Sequence, residues 1–324
     1  MARVASMDME LQAKISDTKS VGPLIKGTID MHYHGYPEIT LGLKSRVDDA
    51  EALEMARDLG MRGLVIKSQM WPSTGRVYHL RQRVPGVECF AGITLNSVVG
   101  GLSPWVVEAA ARQGAKVVWL PTWSSTHRLG ESGFSKLMKG WFPSMTFEPG
   151  LSCVDSAGKV TPEVRSIIEI AENMDLVLCT GHISPTESLA VAQEAEKIGF
   201  TRLVFTHPLS GSVGATLEQT QEMVNRGAYA ELCALNIFYG NTLDRMLEFI
   251  TELGADHCIL TSDVFMEWTP PGPEFFRMFL GRLFISGIDE ESITKMARDN
   301  PAALLGLPPF SEQVEAPSDA KAPD

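Results

Sequence analysis

The sequence lacks most of what would mark a nucleic-acid binder, a membrane protein or a disulfide-stapled domain. Its 28 lysines and arginines are outnumbered by 40 aspartates and glutamates, giving a formal net charge of −12. No segment interleaves basic with aromatic residues, and that charge balance disfavours a polyanionic partner, whose phosphates call for clustered cations. No apolar run approaches the roughly 20 residues needed to cross a bilayer, and Met1 to Ser20 has no stretch suited to a secretory signal. The five cysteines, Cys89, Cys153, Cys179, Cys233 and Cys258, stand singly, four of them inside apolar runs. That usage argues for reduced core thiols and against a disulfide framework or zinc finger. There is no repeat of solenoid length, no Ser/Gly linker, and no Gly-x-Gly-x-x-Gly after the first apolar run, which argues against dinucleotide binding. The expectations are a small-molecule substrate, a cytoplasmic setting and no nucleic-acid or membrane partner, with homo-oligomerisation left open.

What is present is a regular alternation over 324 residues. Short apolar runs at Thr28 to Tyr33, Gly63 to Lys67, Glu88 to Thr94, Ala115 to Leu120, Leu176 to Thr180, Arg202 to Thr206, Ala228 to Leu235 and Cys258 to Ser262 read as strands. Helical patterns separate them, among them Val47 to Leu59, Pro104 to Gln113, Pro162 to Asn173, Pro185 to Ile198, Leu217 to Arg226, Thr242 to Leu253 and Ser292 to Asp299. Strands that are apolar throughout belong to a parallel sheet covered by helices. Eight such units predict an α/β fold of the (β/α)8 TIM-barrel type, with an open doubly wound sheet as the alternative.

The predicted organisation is an N-terminal extension at 1–24, the barrel at 25–308, and a disordered tail at 309–324 rich in Ala, Pro and acidic residues. A long insertion at 121–161 after the fourth strand carries Trp123, His127, Arg128, Trp141, Phe142 and Phe147. A loop of this length following a strand belongs at the C-terminal mouth and reads as a lid, although Trp141 and Phe142 would equally serve to cover apolar surface. Asp155-Ser156-Ala157-Gly158 near its end reads as a hairpin turn.

The chemistry-bearing residues fall at corresponding places. Asp30-Met31-His32-Tyr33-His34 ends the first strand, and residues two apart share a strand face, so His32 and His34 can aim at one point. Lys67 ends strand two, His182 follows strand five, His207 strand six and Asp263 strand eight. Barrel enzymes place catalytic groups at the C-terminal strand ends, so the set points to a metal or catalytic site more strongly than any member. Taken alone, a strand-end histidine is more simply a hydrogen-bonded rim residue, and Asp263 a turn cap. Ser184-Pro185-Thr186-Glu187 reads as a helix start that fixes His182 at the mouth. Asp30, two residues before His32, reads as an inner support for the ligands.

With these residues in view the chain resembles the amidohydrolase superfamily, in an uncharacterised branch. The resemblance is carried by His32-x-His34, by Gly181-His182-Ile183-Ser184-Pro185, Phe205-Thr206-His207-Pro208, Met61-Arg62-Gly63-Leu64-Val65-Ile66-Lys67-Ser68, Asp263, and the closing Asn300-Pro301-Ala302-Ala303-Leu304-Leu305-Gly306. It spans Thr28 to Leu307. It implies a metal-dependent hydrolase in which His32, His34, His182, His207 and Asp263 hold one or two divalent ions, zinc foremost, with manganese, iron or nickel also compatible. It further implies that metal-activated hydroxide attacks a small-molecule amide, lactone or ester centre, with Asp263 as general base. A mononuclear lyase or decarboxylase and a non-catalytic metal- or metabolite-binding barrel are the alternatives.

One departure bears on metal count. The fourth strand, Val117-Val118-Trp119-Leu120-Pro121-Thr122, lacks the Lys or Glu that bridges two metals in the commonest pattern of that superfamily. Lys67 then has three readings: a bridging carbamate, an unmodified catalytic cation or proton donor, and a structural ion pair. For substrate contacts the sequence offers Trp71 and Ser73 after strand two, His127 and Arg128 in the insertion, Asn236 and Tyr239 after strand seven, and Trp268 after strand eight. Either His127 or Arg128 suits a carboxylate or phosphate. His79 and His257 are assigned no role.

Overall fold

In the computed structural model the described residues are 22–128, 138–144, 149–238 and 242–311. Tyr239 and most of the extension at 1–24 and of the tail at 309–324 lie outside them, as do parts of the insertion. Eight parallel strands follow in sequence order around the sheet: β1 (Ile29–His34), β2 (Gly63–Lys67), β3 (Glu88–Thr94), β4 (Ala115–Trp119), β5 (Val177–Cys179), β6 (Leu203–Phe205), β7 (Tyr229–Cys233) and β8 (Cys258–Thr261). The helices that cover them are α1 (Asp49–Asp58), α2 (Thr74–Arg83), α3 (Pro104–Arg112), α4 (Pro162–Asn173), α5 (Pro185–Ile198), α6 (Leu217–Asn225), α7 (Leu243–Leu253) and α8 (Gly272–Ile285). The architecture is the expected (β/α)8 barrel. Among the described residues no helix is long and apolar enough to cross a membrane.

The barrel closes between β8 and β1 through an isolated bridge, Tyr33 to Val264, and a hydrogen bond from Asp263 N to His32 O of 2.9 Å. Its interior is filled by Ile29, Met31, Val65, Val117, Val177, Val204 and Ile259, with Trp119 above them. Because side chains alternate, the residues two positions beyond Val65, Tyr229 and Ile259, namely Lys67, Glu231 and Thr261, also face inward.

On β1 the pairing with β2 shifts register between Asp30 and Tyr33. A shift of this kind re-aims side chains. Ile29 and Met31 fill the lower interior, while His32 and His34 point inward above it. The two-residue alternation therefore does not carry from His32 back to Asp30.

Two helices escape the sequence pattern. α2 has only Thr74, Val77 and Leu80 buried among charged neighbours, and α8 is so rich in Phe, Leu and Met that it shows little periodicity. The stretch expected as a helix at Ser292 to Asp299 is α-helical over Glu290–Thr294, widens to a π-turn over Lys295–Asp299 and resumes at Asn300–Leu304. Pro301 explains the widening: it lacks an N–H and its ring would collide with the carbonyl four residues back.

The described part of the insertion lies over the mouth. Trp123 and Met138 are buried with Ile39 and Met70, and Trp141 and Phe142 pack against this cluster. Val154 pairs antiparallel with Val160 around the Asp155 to Gly158 turn. Glu187 of α5 completes a capping box with Ser184, and its Oε1 also accepts from Ser152 Oγ at 2.8 Å and Cys153 N at 3.1 Å. The same carboxylate thus starts the helix after His182 and anchors the end of the insertion.

Candidate metal centre

β1 and β2 lie side by side with His34 opposite Lys67, so three candidate groups start from adjacent strand ends. Asp263 Oδ1 lies 3.1 Å from both His32 Nε2 and His34 Nε2. The three ligand atoms fall within 4.8 Å of one another. His182 Nε2 and His207 Nε2 face each other at 3.1 Å, and the His207 ring stacks on His32 with centroids 5.8 Å apart. Lys67, fully buried, places Nζ 2.8 Å from His32 Nε2 and 5.2 Å from the Trp119 ring centroid. It pairs with no carboxylate among the described residues, so the structural ion-pair reading has no partner.

Two carboxylates outside the expected set orient the imidazoles. Glu231 Oε1 accepts from His32 Nδ1 at 2.8 Å, and Glu38 Oε1 accepts from His34 Nδ1 at 2.7 Å. Each bond puts the proton on Nδ1 and turns the Nε2 lone pair inward, the arrangement that metal-ligating histidines require. The expectation for Asp30 needs correction: its Oδ1 accepts from the backbone N–H groups of His32 at 3.1 Å and Ser262 at 3.0 Å, and so joins strands rather than holding a ring. Burial pushes the Asp30 carboxyl above the ordinary carboxylate range.

Backbone strain gathers at the same place. His207 and Asp263 are non-glycine residues with φ of 25° and 54°. Such conformations cost roughly 1–3 kcal/mol each and persist where surrounding structure enforces them. Here they turn two side chains over the mouth just past strand ends.

The electrostatics suit a cation. Burial and Lys67 act to lower the His32 pKa, but Glu231 and Asp263 outweigh them and lift it to about 9. Burial acts to raise Asp263, yet His32 and His34 hold it well below the ordinary range. Burial lowers His182 well below its usual value, with help from His207, and brings His207 to about 4. Two neutral imidazoles therefore meet through Nε2 at hydrogen-bonding distance, one donating and the other accepting according to tautomer, while the carboxylates beside His32 favour its protonated form. Buried His207 Nδ1 has no hydrogen-bond partner among the described residues. Imidazole nitrogens with a carboxylate oxygen, oriented by further carboxylates, form a donor set that fits a divalent transition metal.

Of these groups His34, Glu38, His182, His207 and Asp263 line a cavity of about 520 Å³. Of the expected substrate contacts, Arg128 and Asn236 line it. Trp71 and Trp268 do not; they project to solvent at 63% and 57% exposure. His127 shares the 3-10 turn Thr126–Arg128 but is also outside the lining, because its neighbour Arg128 takes the inward position. Ser73 is buried in hydrogen bonds to Ile66 O at 2.6 Å and Gly92 N at 2.9 Å, a role in joining β2 to β3.

Comparison with known proteins agrees with this picture. A family model described as a family of unknown function, DUF6282, matches residues 27–231. No curated protein sequence matches the chain significantly. Among solved structures, an amidohydrolase from Pseudomonas aeruginosa superposes with a TM-score of 0.57 at 12% identity, covering 89% of this chain and 97% of that one. An organophosphorus hydrolase from Deinococcus radiodurans gives 0.57 at 15% identity, covering 88% and 94%. A 2,6-dihydroxybenzoate decarboxylase from Rhizobium gives 0.51 at 13% identity, covering 87% and 99%. At these identities the likeness establishes a shared barrel.

Proposed function

The chain belongs to DUF6282, a family of unknown function, and on that premise we propose that it is a metal-dependent hydrolase of the amidohydrolase type, acting on a small-molecule amide, lactone or ester. The observation that carries this reading is the convergence of His32 Nε2, His34 Nε2 and Asp263 Oδ1, of which His34 and Asp263 line the cavity. His32, His34 and Asp263 would hold one divalent ion, zinc foremost, and His182 with His207 would offer a second position. Lys67 acts electrostatically on His32, His182 and His207, which is where a bridging carbamate would sit. A divalent cation at such a centre supplies Lewis acidity to the substrate oxygen and acidifies water.

The chain's own groups do the rest. Asp263, kept ionised by its histidine neighbours, takes the proton of the attacking water. Glu38 and Glu231 hold the imidazoles in register through the reaction. Trp123, Ile39, Leu235 and Phe265 line the cavity and exclude bulk water, which strengthens every charge interaction within it. A mononuclear lyase is the second reading: Lys67 Nζ stands 2.8 Å from His32 Nε2, where an unmodified ammonium would serve as a cation or proton donor in place of a bridging carbamate.

The test is metal analysis of purified protein before and after chelation, followed by turnover on lactones, cyclic amides, N-acyl amino acids, phosphoesters and aromatic carboxylic acids. Metal content below about 0.2 equivalents in intact protein sinks the centre, since such sites bind their ion as part of the folded state. Carbon dioxide release from the acids without hydrolysis of the others selects the lyase.

A further inference from the structure

Resting on the hydrolase reading's choice of this cavity as the active site, we propose that Gln69 is a specificity-determining residue whose side-chain amide N–H groups bind a second, neutral carbonyl oxygen of the substrate, apart from the carbonyl that reacts. Gln69 stands two residues past the end of β2, lines the cavity and is 6% exposed. Its backbone N–H donates to Glu38 Oε1 at 3.0 Å, the same oxygen that accepts from His34 Nδ1 at 2.7 Å. One carboxylate therefore separates Gln69 from a candidate ligand. Its carbonyl oxygen accepts from Asn96 Nδ2 at 3.1 Å, which fixes the backbone from the side of β3.

The neighbours of the side chain settle which way its amide faces. Asn96 Oδ1 accepts from the backbone N–H of Thr122 at 2.9 Å, so Asn96 Nδ2 is the atom turned toward Gln69 and the Thr122 hydroxyl. Nδ2 lies 2.8 Å from Thr122 Oγ1 and 3.4 Å from Gln69 Oε1. Thr122 in turn donates its hydroxyl hydrogen to Gln69 Oε1. Turning the Gln69 amide over would set its NH2 against that of Asn96, so Oε1 is the inner atom and Nε2 the outer one. Nε2 has no hydrogen-bond partner among the described residues, yet it is not sealed from solvent, so it opens on the cavity.

An amide held by its oxygen and offering its N–H groups to a cavity is an acceptor site ordered before the ligand arrives, which lowers the entropy lost on binding. A carbonyl suits it better than an anion, because the Glu38 carboxylate adjoins Gln69 and would repel one. Ile39 and Trp123 line the cavity on the same side and pack together, a wall for a nonpolar body. A fitting substrate thus carries two carbonyl oxygens on a largely apolar frame, one for the reacting centre and one for Gln69.

The test uses protein whose metal content has been quantified, and calorimetric binding of 4-phenylpiperidine-2,6-dione and 4-phenylpiperidin-2-one, which differ by one carbonyl. The dione is expected to bind about fivefold more tightly, the scale of one neutral hydrogen bond. Gln69→Glu keeps an acceptor for Thr122 and removes the donors, while Gln69→Met removes both. Each should bring the two probes within about twofold, the statistical advantage of two equivalent carbonyls. Thr122→Val, which leaves Gln69 in place but frees its amide to turn, should retain part of the preference. Equal affinity in the unsubstituted protein, or binding of neither probe, overturns the proposal. So does a preference that survives both Gln69 substitutions, the result expected if Gln69 merely ties strand ends together and its loss lowers only the melting temperature. Where a probe is turned over, KM and kcat are read instead: a raised KM at unchanged kcat supports the assignment, and a loss confined to kcat places Gln69 on the reacting carbonyl and overturns it. Metal content and turnover of the same samples score the hydrolase reading separately: a Gln69-dependent preference in protein without metal or turnover sustains the subsite and sinks the centre.

Discussion

Glu231 makes three contacts with two oxygens: Oε1 takes His32 Nδ1 and, at 3.0 Å, Thr261 Oγ1, while Oε2 accepts from His207 N at 3.2 Å. Glu231→Gln preserves the shape but replaces one acceptor with a donor, which then faces either an N–H or the His32 ring. The expected result is a 10–100-fold loss of metal affinity in chelator competition, the usual cost of disturbing the partner of a ligating histidine. Unchanged affinity would show that the imidazole is held by other means. Lys67 carries the second prediction at this scale. Lys67→Ala should lose one of two metal equivalents and recover part of its activity with short carboxylic acids; unchanged metal content would remove the carbamate. The residues just discussed differ in how visible they are in the sequence. Glu231 sits inside an apolar run at inward spacing from Tyr229, so the signal was there, but attention to strand ends passes over it. Glu38 lies in a loop, where no periodicity points to its partner. Asp30 misleads because the register shift on β1 breaks the alternation on which its placement rests.

Elements place the site through a few close approaches, and Gly181 is the tightest. It has φ of 64°, and a Cβ there would stand 2.2 Å from Leu120 O. Its N–H donates to Thr206 Oγ1 at 3.0 Å, and the next residue, His182, donates its N–H to Pro121 O at 2.9 Å. β4, β5 and β6 are thus locked together one residue before a candidate ligand. Gly181→Ala should cost at least about 2 kcal/mol in denaturant unfolding, combining left-handed strain with the collision. Ser184→Ala, which removes only the cap of α5, should cost about 1 kcal/mol. A Gly181→Ala cost no greater than that of Ser184→Ala would mean that the strand ends yield freely. The strands were legible at this scale because burial on both faces makes them apolar throughout. Helix starts were legible where chemistry marks them, as at Pro162 and Pro185. α2 and α8 were not, since one is mostly polar and the other apolar nearly all round, so neither shows a clear stripe.

At the scale of the whole molecule, eight repeating units are visible in the sequence, but where the ring closes is not, because alternation gives strands without their pairing. The structure closes the ring at β1 and β8, which are also the strands that carry His32, His34 and Asp263. Apart from the Tyr33 to Val264 bridge, this seam carries the bond from Asp263 N to His32 O, one from Ser262 Oγ to His32 O at 3.3 Å, and Asp30 Oδ1, which accepts across it from Ser262 N. An ion shared by His32, His34 and Asp263 would therefore cross-link a joint that an isolated bridge closes in place of a regular ladder. A ligand present at 100 times its Kd stabilises the folded state by about 2.7 kcal/mol. At roughly 2–4 °C per kcal/mol for a domain of comparable size, chelation should lower Tm by about 5–10 °C, reversibly on adding metal back. Linkage alone predicts that shift for any metal site, so location is the discriminating readout. Hydrogen exchange after chelation should accelerate most over Ile29–His34 and Cys258–Thr261, and less over Ala115–Trp119 and Val177–Cys179 on the far side of the ring. Acceleration spread evenly around all eight strands would show that the ion stabilises the barrel without closing its seam.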